Sequence, residues 1–164
     1  MLEENDVWGT SPLYGPYVDS TNRPMLLADI MECAPTPEHR WRRFQAGWPA
    51  CDGVPDWLTA EILFMLCFDE HRGVEFLEGD DKEFFDALPE HVTVYRGCSP
   101  DRIKAMAWTT DIQIAEAFAR GHRGIRVPDG AVYKATIGKV DILTVFTDRQ
   151  ESEIIVGPHR LTNI

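Results

Sequence analysis

At 164 residues and 18.7 kDa the chain has the length of one domain and is too short for two of ordinary size. Hydrophobic residues make up 44% and charged residues 26%, which excludes wholesale disorder. Lys+Arg total 16 against 27 Asp+Glu, and a net charge of −11 argues against wrapping duplex nucleic acid, where phosphate binding draws on clustered cations.

The first 35 residues mix Gly, Pro, Ser and Tyr as loops do, and only LLADIM, residues 26–31, looks regular. Pro37 followed by EHRWRRFQAGW predicts a short helix with Pro in its first turn. Asp56 as N-cap and Gly73 as stop bracket WLTAEILFMLCFDEHRG, a helix apolar nearly all round and so expected to be central and buried. DDKEFFDAL, residues 80–88, predicts another short helix ended by Pro89. The texture changes at His91. VTVYRG alternates as a strand does, and AWTT reads as a short second one. Asp111 caps IQIAEAFAR, whose Ile114, Ala115, Phe118 and Ala119 share a face. GHRG and VPDG are turns. AVYKATI, VDILTVF and ESEIIV read as strands, with HRLTNI as a possible last one. Helices in front and strands behind give an α+β fold with an antiparallel sheet core, one folding unit over residues 1–164 with a mainly helical portion 1–90 and a strand-rich portion 91–164.

Charge is uneven along this order. Residues 1–91 carry a net −13 and residues 92–164 a net +2, which places any small anionic ligand in the second half; solubility alone accounts for the acidic half equally well. Cys33, Cys51, Cys67 and Cys98 show no CxxC spacing or nearby His of a zinc site, so no metal is expected, and Cys67 reads as a small core residue. MLEENDVWG lacks a signal-peptide core, and the longest apolar run, residues 62–68, is far short of a bilayer span. These features lead to the expectation of a soluble, reduced, cytoplasmic protein without a membrane partner. Trp8, Tyr14, Tyr17, Trp41 and Trp48 are expected to pack in the core.

Three sites carry candidate chemistry. Arg96 in VYRGC can fork onto phosphate oxygens while Gly97 lets a ligand approach the backbone, although an Arg on a strand is more often simply solvated. In AWTTD the hydroxyls of Thr109 and Thr110 can orient a carboxylate or a sugar hydroxyl; equally, Asp111, with help from Thr110, can cap the helix. In RQESEIIVGP, Glu151 and Glu153 lie two apart on an expected strand, which would point both to one face and raise the pKa of at least one. Such a pair can divide labour, one group stabilising positive charge and the other accepting a proton, or it can face solvent paired with a neighbouring base.

In order and spacing, VYRG, then WTTD with AEAFA following, then VYKATI with GKVDIL, then ESEIIV resemble the R-S-E class of mono-ADP-ribosyltransferases, over about residues 91–163. The resemblance implies a split sandwich of two small sheets, with helices alongside and NAD bound in the cleft between them. It makes Arg96 the arginine that grips the NAD phosphates and ribose, Gly97 the backbone that helps hold the nicotinamide amide, and Thr109 and Thr110 the hydroxyl motif. That motif is usually Ser-Thr-Ser, and Asp111 at its third position is a departure. Glu153 becomes the catalytic glutamate and Glu151 the earlier acid that goes with arginine as acceptor. Tyr95 and Phe118 join the NAD-binding set, and TVFTDRQ becomes the acceptor-recognising turn with Phe146 as its aromatic. Arg120, His122, Arg123 and Arg126 are further candidates for bordering the phosphates. The implied partners are NAD, as substrate, and an acceptor protein, as in toxin-like or phage effectors acting inside a host cell.

The implied chemistry builds an oxocarbenium-like cation as the nicotinamide–ribose bond breaks. A fixed Glu153 carboxylate would stabilise it, Glu151 would take the nucleophile's proton and Arg96 would orient the pyrophosphate. An NAD glycohydrolase, with water as acceptor, uses the same chemistry. A reading from another class is a non-catalytic inhibitor whose acidic front half blocks a basic partner.

Overall fold

The computed structural model describes residues 6–124 and 126–164, and for Arg123 the backbone alone. The chain divides into two compact units, Met1–Phe76 and Leu77–Ile164. The boundary puts the helix that precedes the first strand in the second unit, with the sheet.

The first unit is helical: a 3₁₀ turn Ser11–Tyr14, α1 Arg23–Glu32, α2 Pro37–Gly47 and α3 Asp56–Leu66, with 3₁₀ turns Trp48–Ala50 and Gly73–Phe76. Local chemistry sets these bounds. Asp6 accepts from Thr10 N at 2.7 Å and Ser11 N at 2.9 Å, and bonds from Ser11 and Thr10 hold its carboxyl well below the usual carboxylate range. Thr36 caps α2 by accepting from His39 N at 3.2 Å, with Pro37 in the first turn. Leu13, Leu27, Met31, Trp41, Phe44, Leu58, Ile62 and Leu66 form its core. Its arginines act as clamps on the backbone: Arg23 donates to Leu13 O and Ala50 O, and Arg43 to Trp8 O and Ile30 O.

Several expectations are corrected here. Asp56 is the first residue inside α3, with Pro55 at the cap, and the helix ends at Leu66 well before Gly73. Its burial is one-sided. Leu58, Ile62 and Leu66, spaced by four, pack inward, while Trp57 is 59% exposed and Phe64 68%, with Phe68 just beyond the helix end 71% exposed. Cys67 is exposed as well, so it is no core residue. Of the aromatics expected inside, Trp41 is buried and Trp8 and Trp48 are half-buried, but Tyr14 and Tyr17 are exposed.

The second unit comprises α4 Gly79–Ala87, β1 His91–Cys98, β2 Ala107–Thr109, α5 Ile112–Ala119, β3 Ala131–Gly138, β4 Ile142–Phe146 and β5 Glu153–Val156. All strand pairs are antiparallel and join in one five-stranded sheet, ordered β3-β1-β2-β5-β4. Among the described residues, the two separate small sheets that the resemblance implies are replaced by this single sheet. The strands that would have formed them, β3-β1 on one side and β2-β5-β4 on the other, are joined at a single registered pair, Tyr95 with Thr109. N-terminal helices followed by an antiparallel sheet agree with the α+β expectation. HRLTNI forms a 3₁₀ turn, Pro158–Arg160, and one isolated bridge, Thr136 with Thr162.

Val92 and Val94 on β1, Trp108 on β2, Ala135 and Ile137 on β3, Val145 on β4 and Ile154, Ile155 and Val156 on β5 supply the core. Lys139 closes the C-terminal end of α4, donating to Asp86 O at 3.0 Å and Leu88 O at 2.9 Å, where a cation suits the helix dipole. Asp111 caps α5, accepting from Gln113 N at 2.8 Å. Helix α5 packs on β1 and β3 at a separation only glycine permits: a Cβ on Gly97 would lie 1.8 Å from Ala115 O, and one on Gly130 2.1 Å from Ala119 O. Gly97→Ala is therefore expected to destabilise the protein by about 2 kcal/mol or more, because the clashing atoms, Ala115 O and C and Ala119 N, all belong to backbone and cannot rotate away. Urea unfolding measures this, and an alanine variant of native stability would refute the close packing.

Candidate functional site

The sheet brings most of the singled-out residues to its middle. Register places Lys134, Tyr95, Thr109, Glu153 and Phe146 opposite one another in turn, a row that crosses all five strands from β3 to β4. Arg96 is one step along β1 from this row. Alternation alone would turn it to the other side of β1 from Tyr95. Its guanidinium instead reaches toward β2, where registered pairing with β1 has stopped after Tyr95: Nη1 donates to Ala107 O at 2.7 Å and Nε to Arg102 O at 3.0 Å. The arginine thus fills the gap the two strands leave and satisfies a β2 carbonyl.

Burial pushes the Arg96 pKa down, with Arg102 acting in the same sense, while Cys98 and Glu153 push it up. Guanidinium nevertheless stays protonated throughout the physiological range. Burial raises the Cys98 thiol pKa, and the adjacent Arg96 opposes that shift. Cys98 is a neighbour the sequence reading overlooked. It sits two residues after Arg96 on the same strand, and strand periodicity was the available signal.

The segment carrying the glutamates departs from expectation. Glu153 opens β5, opposite Thr109 and Phe146. Glu151 is not on the strand: it lies in the preceding turn at φ −86°, ψ −11°, followed by Ser152 at φ 47°. Period-two alternation therefore does not apply to the pair, and its inference of a shared face falls with it. Arg149 and Gln150 also have positive φ, 58° each, so three non-glycine residues sit in the left-handed region, at a cost of about 1 kcal/mol or more apiece.

Three anchors hold this strained turn. Thr109 Oγ1 donates to Glu151 O at 2.6 Å and accepts from Asp111 N at 3.0 Å. Thr110 N donates to Ser152 O at 3.2 Å. At the other end Asp81 on α4 accepts from both Thr147 N, at 2.8 Å, and Thr147 Oγ1, at 2.7 Å. Asp81 was not singled out from sequence, because nothing local marks an acid that binds a turn so far along the chain. The Thr109 hydroxyl is engaged by backbone on both sides, so its place in the site is that of a pin for the glutamate turn.

The remaining candidates fall around this centre. The side of Gly97 that a Cβ would occupy is filled by α5. Phe118 on α5 is half-buried, its ring edge-on to His122 at 5.1 Å. Phe146 is buried rather than displayed on the turn. Arg120, His122 and Arg126 are exposed, and the Arg123 side chain lies outside the described residues. Among the described residues no group of three or more His, Cys, Asp or Glu is placed to hold a metal ion, and no helix is long and apolar enough to cross a membrane.

The chain matches no family model, no curated protein and no solved structure. The site's reading therefore rests on its own geometry. Thr109→Val keeps the branched shape and removes both hydroxyl bonds, which is expected to cost about 1–3 kcal/mol, while Thr109→Ser stays near the native value. Equal unfolding midpoints for the valine and serine variants would contradict the pin.

Proposed function

We propose that the protein is an NAD-dependent mono-ADP-ribosyltransferase that modifies a protein on arginine and releases nicotinamide. The observation that carries this reading is the placement of Arg96, Thr109 and Glu153 on three neighbouring strands, with Thr109 and Glu153 paired in register.

The chemistry follows from charge. The nicotinamide–ribose C–N bond breaks, its electron pair leaves with nicotinamide, and positive charge grows on the ribose ring as in glycoside cleavage. Glu153, held in register at the start of a buried strand, presents a fixed carboxylate to that charge and need not reorganise as it develops. An acceptor guanidinium nitrogen then bonds to the ribose carbon, and Glu151 in the anchored turn takes its proton. Arg96 has two donors engaged by carbonyls and a further hydrogen bond to the Cys98 side chain; this clamp fixes the fork's direction, and a five-donor guanidinium still has N–H groups to offer phosphate oxygens. Tyr95 and Gly97 flank Arg96 on β1, Thr110 follows Thr109 and Phe118 lies on α5; these make up the proposed dinucleotide surroundings, with Thr109 holding the turn in place.

Glu153→Gln keeps the shape of the side chain and removes its charge. Turnover is expected to fall at least about 100-fold, the scale of a single electrostatic contribution to a transition state. Nicotinamide release from NAD by purified protein is the assay, and near-normal turnover in the variant ends the scheme. Glu151→Gln should impair transfer to protein more than hydrolysis of NAD, read by mass spectrometry of added ADP-ribose against free nicotinamide. Equal loss of both activities refutes the division between the acids, and wild-type nicotinamide release without any modified protein makes the enzyme a glycohydrolase.

A further inference from the structure

The strongest feature unconnected with the glutamate turn lies on α3. Trp57 and Phe64, seven apart, project along one stripe of α3, Phe68 just beyond the helix end continues it through contact with Phe64, and all three are more than half exposed. The Phe64 and Phe68 rings lie 6.0 Å apart. Glu61 falls within the same stripe and is exposed, and exposed Asp56 and Glu70 flank its ends. Large aromatics in this setting are unusual, since single surface apolar residues are common but aligned ones mark binding surfaces.

Charge selects the occupant. Residues 1–76 hold 13 acids and 5 bases, a net −8. None of the bases is on α3. Arg23 and Arg43 are turned onto backbone carbonyls, Arg40 pairs with Asp69 at 3.0 Å, and Arg42 reaches Glu38 and lies over the Trp8 ring. A second copy would bring a like-charged stripe against this one, and an anionic membrane would repel it.

We infer that the α3 stripe is a docking surface for a basic amphipathic helix of a partner protein, whose apolar residues cover Trp57, Phe64 and Phe68 and whose Lys or Arg residues meet Glu61, Asp56 and Glu70. The aromatic anchors supply the binding and the rim carboxylates orient it. This surface stands independently of the NAD chemistry.

The test uses the full chain and a synthetic Leu/Lys peptide of about 18 residues, long enough to form a helix, with Leu at helical spacing. Fluorescence anisotropy of the labelled peptide gives its affinity. The combined variant Trp57→Ser, Phe64→Ser and Phe68→Ser should weaken binding about tenfold or more, because truncated aromatic anchors commonly cost that much. Glu61→Lys should weaken binding and flatten its salt dependence. Tyr17→Ser, on a residue 91% exposed outside the stripe, should leave the affinity unchanged. All four changed aromatics are surface residues, and melting curves confirm that the variants fold.

Equal affinity for a scrambled peptide of the same composition, or an unchanged affinity in the triple variant, overturns the proposal in favour of unspecific charge attraction. It is also overturned if sedimentation shows a dimer that the triple variant abolishes, since the occupant is then a second copy. Binding to phosphatidylcholine vesicles that the triple variant loses overturns it in favour of a lipid surface.

Discussion

A sheet of five strands that is joined across its middle by one residue pair needs something else to hold the join, and here that work falls to side chains. Beside the Tyr95–Thr109 pair, the Arg96 guanidinium takes the Ala107 carbonyl that a paired strand would have taken, and the Thr109 hydroxyl takes the carbonyl of Glu151. A carbonyl left without a donor costs about 1–3 kcal/mol when buried, so these two side chains substitute for missing ladder bonds. The same bonds determine where the glutamate turn sits. Structural and proposed chemical roles therefore coincide at this join.

The same use of arginine recurs in the helical unit. Arg23 and Arg43 each give two donors to carbonyls of separate segments, stitching loop to helix and helix to helix. A planar fork with five donors suits this better than lysine does. One effect is that few cations are left on the surface, and the unit's acidity is correspondingly undiluted.

Legibility in the sequence varied with the physical origin of each feature. Elements set by local rules were readable: Asp111 caps α5, Pro37 opens α2, β1 and β3 show period-two burial, and β5 is a short continuous apolar run. Features set by tertiary context were not. The composition of α3 says that it is apolar but not which side finds a partner, so its aromatics were expected inside and are found outside. Glu151 and Glu153 have strand spacing, yet left-handed Ser152 separates them, and no side-chain type encodes that conformation. A single sheet in place of two depends on one pairing between short segments, which no periodicity reports. Asp81 and Cys98 enter the site through distance in space alone or through a neighbour on the strand, and only the second left any local trace.

The two glycines beneath α5 have a consequence for how this protein can change over generations. With hydrogen atoms where every other residue carries carbon, the helix rests directly on the sheet, and neither position tolerates a side chain unless the whole helix lifts. Sequence drift is thus blocked at Gly97 and Gly130 while the exposed outer face of the helix stays free to vary. Descendants of this chain would keep those two positions fixed long after the surface around them had become unrecognisable.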